Sequence, residues 1–139
     1  MQIREFANGD REAVVVLWER CGLTRAWNDP YRDIDRKLGM ADDGFLIGEV
    51  DGRVVATIMV GYDGHRGWVN YLAIDPSAQG SGHGRAMMAA AERWLLDRGC
   101  PKLNLQVRST NDAAMAFYES LGFARDDVVS FGKRLIADA

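Results

Sequence analysis

The run Gln79-Gly80-Ser81-Gly82-His83-Gly84-Arg85 is the part of the chain best suited to hold a charged ligand. Glycine lacks Cβ, so an anion can approach the backbone closely and the chain can take positive φ. The run lies between a predicted strand and a predicted helix. The free N–H groups of a helix's first turn, with its dipole, attract a phosphate. The run is therefore a candidate pyrophosphate cradle, set against the competing reading of a flexible turn with no ligand. Two other phosphate loops fail on spacing. Walker A requires G-x-x-x-x-G-K-[ST], and no Gly-Lys stands in that context. The dinucleotide fingerprint requires G-x-G-x-x-G, whereas these glycines fall at 80, 82 and 84. Four other side chains have suitable chemistry. Tyr118 is a phenol on an apolar helix stripe, able to donate a proton or to fill a core. His65 offers an imidazole that can act as a base. Asp63 can attract a cation or cap its own turn. Trp27 offers a flat face to an ammonium or packs its loop. Cys21 and Cys100 form neither a CxxC nor a disulfide framework, and no metal is expected.

The elements that must position these residues alternate between strand and helix signals, so the chain reads as an α+β, layered α/β domain. Gln2 to Phe6 reads as a strand and Asp10 to Cys21 as a helix, with Ala13, Val14, Leu17, Trp18 and Cys21 at helical spacing. Asp29-Pro30 reads as an N-cap followed by proline at the first helical position. Phe45 to Val50 and Val54 to Tyr62 form a hairpin around Asp51-Gly52. Trp68 to Ile74 is the next strand, ended by Asp75-Pro76. Gly84 to Arg98 is a helix, Leu103 to Val107 a strand, and Asn111 to Leu121 a helix. Val128 to Leu135 is expected as a closing strand, an edge through which two subunits of a homodimer would pair.

With 139 residues, the chain is expected to be one domain, residues 1–139, large enough to bury a core unaided. The charge is −3, from 17 Lys and Arg against 20 Asp and Glu, so there is no overall basic footprint for nucleic acid. No apolar run approaches the ~20 residues of a membrane span, and the first residues do not read as a signal peptide. A reducing cytoplasm is the expected location.

The spacing Gln79-x-x-Gly82-x-Gly84 resembles the Q/R-x-x-G-x-G/A motif of the GNAT acetyltransferase superfamily. Its flanks, Tyr71-Leu72-Ala73-Ile74-Asp75-Pro76 and Arg85-Ala86, are similar too. Downstream, Asn111-Asp112-Ala113-Ala114 and Tyr118-Glu119-Ser120-Leu121-Gly122-Phe123 resemble that superfamily's N-x-x-A and Y-x-x-x-G-F signature. Residues 68–123 carry the resemblance. Trp27-Asn28-Asp29-Pro30, Gly61 to Gly67 and Gly132 to Ile136 are similar to the small bacterial YpeA-type acetyltransferases.

The resemblance implies a mixed, mostly antiparallel sheet, flanked by helices, whose central parallel strands splay apart to admit acetyl-CoA. It implies that the backbone of Leu72, Ala73 and Ile74 bonds the pantetheine. It implies that Gln79, Gly80, Ser81, Gly82, His83, Gly84 and Arg85 hold the pyrophosphate. Asn111 would contact the cofactor arm, a role compatible with capping its helix. The reaction implied is direct attack of a primary amine on the thioester, the amine belonging to a small molecule, a peptide N-terminus or a lysine. A backbone N–H near Leu72–Ala73 would hold the oxyanion, and Tyr118 would protonate the leaving thiolate. Relatives that acetylate ribosomal-protein N-termini carry a Glu base where Gln106 stands, and Gln takes no proton. Asp63, His65, Asp29 or a water chain are the other bases open. Trp27, Asn28, Asp63 and His65 are the expected acceptor-side residues. A non-catalytic acyl-CoA sensor is the alternative reading.

Overall fold

The computed structural model describes residues 1–138. Strand β1 (Gln2–Glu5) leads through a short 3-10 turn into helix α1 (Arg11–Arg20), and α2 (Pro30–Gly39) follows after a loop. Strands β2 (Phe45–Val50), β3 (Arg53–Tyr62) and β4 (Gly67–Ile74) come next, then helix α3 (His83–Leu96), strand β5 (Leu103–Asn104) and helix α4 (Asp112–Ser120). The strands form one sheet in the order β1-β2-β3-β4-β5. All neighbours are antiparallel except β4 and β5, which run parallel.

Local sequence explains these boundaries. The Asp29 carboxylate accepts from Tyr31 N–H at 2.9 Å, and Pro30 opens α2 behind it, as expected of that pair. Asp51 and Gly52 both take positive φ, at 50° and 76°, the conformation a tight two-residue hairpin demands.

Apolar side chains cover both faces of the sheet. On one face Val55, Ala56, Ile58, Val60 and Val69 pack with Met87, Met88, Ala91 and Leu95 of α3. On the other Val14, Leu17 and Trp18 of α1 and Ile34 of α2 pack with Phe45, Ile47, Met59 and Ala73. Burial on both faces makes β3 a nearly continuous apolar run, interrupted by a fully buried Thr57.

Two elements differ from expectation. The strand expected over Leu103 to Val107 pairs with β4 only at Gly67↔Leu103 and Trp68↔Asn104. Past that point β4 carries an irregularity and the two strands no longer pair. The strand expected over Val128 to Leu135 does not form. Val129, Phe131 and Leu135 fall on one side of an alternating pattern, but all three are exposed, so no surface of the fold covers the face a strand would present. Side chains tether the segment instead: Lys102 to Asp126, Gln106 to Ser130 and Arg134 to Asn28. There is therefore no edge strand at this place through which two subunits would pair.

Candidate active site

The site begins with a bulge in β4. The register runs Met59↔Asn70 and then Thr57↔Ala73, so β4 holds two residues, Tyr71 and Leu72, opposite a single one, Ile58, on β3. The extra residue is accommodated at Tyr71, whose φ of 53° lies in the left-handed region. That conformation is unusual for a bulky side chain, and bulges re-aim the groups around them. The structure holds it with side chains. Trp18 Nε1–H donates to Thr57 Oγ1 at 2.9 Å, and the Thr57 hydroxyl donates to the Tyr71 carbonyl at 2.8 Å. The Tyr71 ring stacks on Trp18 with centroids 3.8 Å apart, and its hydroxyl donates to Asp33 at 2.6 Å. Burial, then the Asp33 carboxylate, pushes the Tyr71 phenol far above its ordinary value.

Beyond the bulge the direction of the backbone follows from alternation. Asp75 N–H donates to Val55 O on β3 at 2.8 Å, and strand residues face opposite neighbours in turn. The backbone groups of Ala73 therefore face β3, and those of Leu72 and Ile74 face the side where β5 has diverged. This is an open ladder edge inside the sheet.

The glycine loop closes one end of that edge. Gly80 and Gly82 have φ of 84° and 81°, and an added Cβ at either would meet no atom within 4 Å. They give the loop its shape and leave it open. Gly84 serves a different purpose: a Cβ there would stand 3.1 Å from Phe117 Cζ and 3.8 Å from Ile74 Cγ1. It lets the first turn of α3 lie against α4 and the end of β4. Gly82 is the N-cap of α3 and supplies no side-chain cap. The first-turn N–H groups thus keep their capacity to bind an anion. Gln79 Nε2 donates to Ile74 O at 3.2 Å, fastening the loop to β4. Ser81 and Arg85 are exposed, His83 is half-buried, and Arg85 makes no ion pair among the described residues. An extended anionic ligand with hydrogen-bonding groups along its arm fits this arrangement.

Tyr118 lies on the same face. Leu72, Ile74, Leu103, Leu105, Phe117 and Tyr118 all pack against the α3-side cluster. Its ring meets Phe117 and Phe123 edge-on, at 5.1 and 5.7 Å. Its hydroxyl has no hydrogen-bond partner among the described residues, and burial pushes its pKa up. It is a protonated phenol at neutral pH. Asn111 caps α4, its side-chain oxygen accepting from Ala114 N–H at 3.0 Å. Gln106 is exposed and donates to Ser130.

The remaining residues lie in two other places. Asp63 accepts from the His65 and Arg66 N–H groups at 2.8 and 2.7 Å, and these bonds hold its carboxyl below the usual range. It caps the turn between β3 and β4, as one of its two readings expected. That turn is at the opposite end of β4 from the loop, about 13 Å of strand from the bulge, so Asp63 and His65 are not brought together with Tyr118. Trp27 is 57% exposed in the loop between α1 and α2, and Asn28 accepts from Arg134. Asp29 is engaged in capping α2. No motif in the sequence groups Thr57, Trp18, Tyr71 and Asp33 as a set. One signal was present: a lone hydroxyl in the apolar run Val54 to Val60 needs a buried partner.

The chain is similar to known proteins in sequence and in fold. The acetyltransferase (GNAT) family matches residues 11–123. An acetyltransferase of Pectobacterium atrosepticum is 49% identical over 138 residues, covering 99% of this chain and 98% of the relative. Among solved structures, Ard1 from Thermoplasma volcanium superposes with a TM-score of 0.79 at 27% identity, covering 88% of this chain and 82% of its own. The ribosomal-protein-S18-alanine N-acetyltransferase from Escherichia coli gives 0.74 at 26% identity, covering 90% and 78%. The family match and the fold make this an acetyl-CoA-dependent acetyltransferase. This chain belongs to the GNAT family.

Proposed function

We propose that this protein transfers the acetyl group of acetyl-CoA directly to a primary amine, on a small molecule, a peptide N-terminus or a lysine, as a single domain working in the cytoplasm. The observation that carries this reading is the open edge of β4, where Leu72 and Ile74 face a gap ended by the glycine loop. Bound there, acetyl-CoA supplies an activated thioester. The backbone of Leu72 and Ile74 takes up its pantetheine arm in place of a strand, while Ala73, expected to share that task, has its backbone turned toward β3 and takes no part. The loop from Gln79 to Arg85, with the first turn of α3, binds the pyrophosphate. Leu72 N–H is the donor nearest the bulge and meets the oxyanion that develops on attack. Tyr118, protonated and without a hydrogen-bond partner among the described residues, donates to the departing thiolate. Asn111 keeps its amide nitrogen for the cofactor arm while its oxygen caps α4. Trp27 and Asn28 border the acceptor approach from the loop before α2. Asp63 and His65 reach the acceptor only if it extends along β4. One of the two solved neighbours named above is named a ribosomal-protein-S18-alanine N-acetyltransferase, which makes peptide N-termini the first acceptors to screen.

The alternative, an acyl-CoA sensor without turnover, draws on Gln106 alone. Calorimetric titration with acetyl-CoA, with NADH as control, tests the binding half of the proposal. Saturable binding of acetyl-CoA and none of NADH is the expected result. An amine panel then separates an enzyme, which releases CoA, from a sensor, which does not. A folded sample that fails to bind acetyl-CoA would remove the proposal.

A further inference from the structure

Of all buried polar side chains on the sheet, Thr57 is the one whose surroundings the fold alone does not require. It is fully buried between apolar neighbours, where valine would fill the same volume without needing partners. It makes two hydrogen bonds, accepting from Trp18 and donating to the carbonyl of Tyr71. That carbonyl belongs to the residue with left-handed φ, and it is joined by one peptide bond to the N–H of Leu72. In a regular ladder the Tyr71 carbonyl would be met by a backbone N–H of a neighbouring strand. Here the side-chain hydroxyl of Thr57 meets it at 2.8 Å. The plane of the Tyr71–Leu72 peptide is therefore set by the Thr57 hydroxyl at its oxygen end, and the N–H at its other end points accordingly, because the peptide unit is planar and trans.

We infer that Thr57, oriented by Trp18, is a positioning residue that aims the Leu72 N–H at the thioester carbonyl oxygen of bound acetyl-CoA. The inference rests on the proposed binding of acetyl-CoA along β4. The chain of contacts runs Trp18 Nε1–H to Thr57 Oγ1, Thr57 O–H to Tyr71 O, and through the peptide to Leu72 N–H. Each link has one proton and one acceptor, so Trp18 fixes which way the hydroxyl proton points. The stack of Tyr71 on Trp18 and its bond to Asp33 hold the side chain of the same residue, so the bulge is fastened on both sides of its Cα. Thr57 touches neither cofactor nor acceptor in this arrangement.

The test uses acetyl-CoA labelled with 13C at the thioester carbonyl and compares the wild type with Thr57→Val and Thr57→Ser. A hydrogen bond to the carbonyl oxygen moves that carbon's resonance downfield on binding. The wild type is expected to show the shift. Thr57→Val is expected to bind acetyl-CoA with the wild-type dissociation constant, to lose most of the shift, and to turn over an amine about 10- to 100-fold more slowly, the range a misplaced group of this kind produces. Thr57→Ser keeps the hydroxyl and is expected to restore both. A Thr57→Val protein with the wild-type shift and kcat overturns the inference, and so does a wild-type complex with no shift. Wild-type protein that does not bind acetyl-CoA at all overturns the binding proposal beneath it, a separate result. Should Thr57→Val not fold because Trp18 Nε1–H is left buried without an acceptor, the double variant Trp18→Phe with Thr57→Val removes that donor and is read by the same two criteria.

Discussion

At the scale of single residues, the environment of Tyr118 separates a chemical role from a structural one. A phenol retained for packing commonly ties off its hydroxyl, and here it has no partner among the described residues. Tyr118→Phe is expected to leave thermal stability and acetyl-CoA affinity unchanged, since no hydrogen bond of the fold is lost. Turnover is expected to fall by about 100-fold or more, the usual contribution of a general acid; melting curves, calorimetry and steady-state rates on one preparation check all three. The proton of the attacking amine has no side-chain acceptor at the position of Gln106, which donates to Ser130 instead. The amine then reacts as its neutral form delivered from solvent. The rate should rise with pH along the acceptor's own titration, so exchanging the acceptor for a less basic amine should move the profile down by the difference in amine pKa. A profile that stays in place would mean a protein base. The residue types visible in the sequence supported Tyr118, the glycines and the two meanings of Asp63 and Asn111. Chain order alone sets Asp63 and His65 before β4 and the glycine loop after it, but it does not show that Tyr118 packs on the same cluster as Leu72 and Ile74, because no local pattern announces how α4 docks.

At the scale of elements, three glycines of one motif do two jobs, and the difference is measurable. Gly82 needs its left-handed φ and touches nothing. Gly82→Ala is expected to cost about 1–2 kcal/mol for that conformation and to weaken acetyl-CoA binding, with kcat at saturation little changed. Gly84 has ordinary φ but no room toward Phe117. Gly84→Ala is expected to push α4 outward, an overpacking of about 1–3 kcal/mol, and to lower kcat, since α4 carries Tyr118. Thermal melts with a split of kcat from the acetyl-CoA dissociation constant distinguish the two. The spacing of the motif was legible in sequence, but not this division of labour, because Phe117 lies 33 positions away and nothing local announces the contact. The strands and helices were legible wherever a repeat and a cap coincided, as at Asp29-Pro30 and Asp51-Gly52. Val128 to Leu135 misled because its β-branched and aromatic residues favour a strand only where a face exists for them to cover.

At the scale of the molecule, depressed carboxylates tie elements together alongside the apolar clusters. Asp10 is held low first by the Arg4 guanidinium, two oxygens at 2.8 Å, and also by the Ala7 N–H, tying β1 to the start of α1. Asp75 is held low by the Ser77 N–H and hydroxyl, with Arg20 of α1 at 2.9 Å from its other oxygen. Asp138 is held low by Arg36, then by the Asp29 N–H, with Arg134 adding to them, fastening the chain's last described segment to α2. A carboxylate whose folded pKa lies below its unfolded value of about 3.9 stabilises the fold fully above that value. The contribution is lost as pH falls from there through the folded pKa, because the unfolded state then binds more protons. The melting temperature should accordingly be level from neutral pH to about 5 and fall steeply below about 4. Asp75→Asn keeps an acceptor for Ser77 and removes the charge opposite Arg20. It is expected to melt below the wild type at pH 7, with the gap closing as acid protonates the wild-type carboxylate. Parallel melts of the two proteins from pH 7 to pH 3 measure that gap directly. A constant gap would mean that Asp75 acts through the shape of its turn and not through its charge.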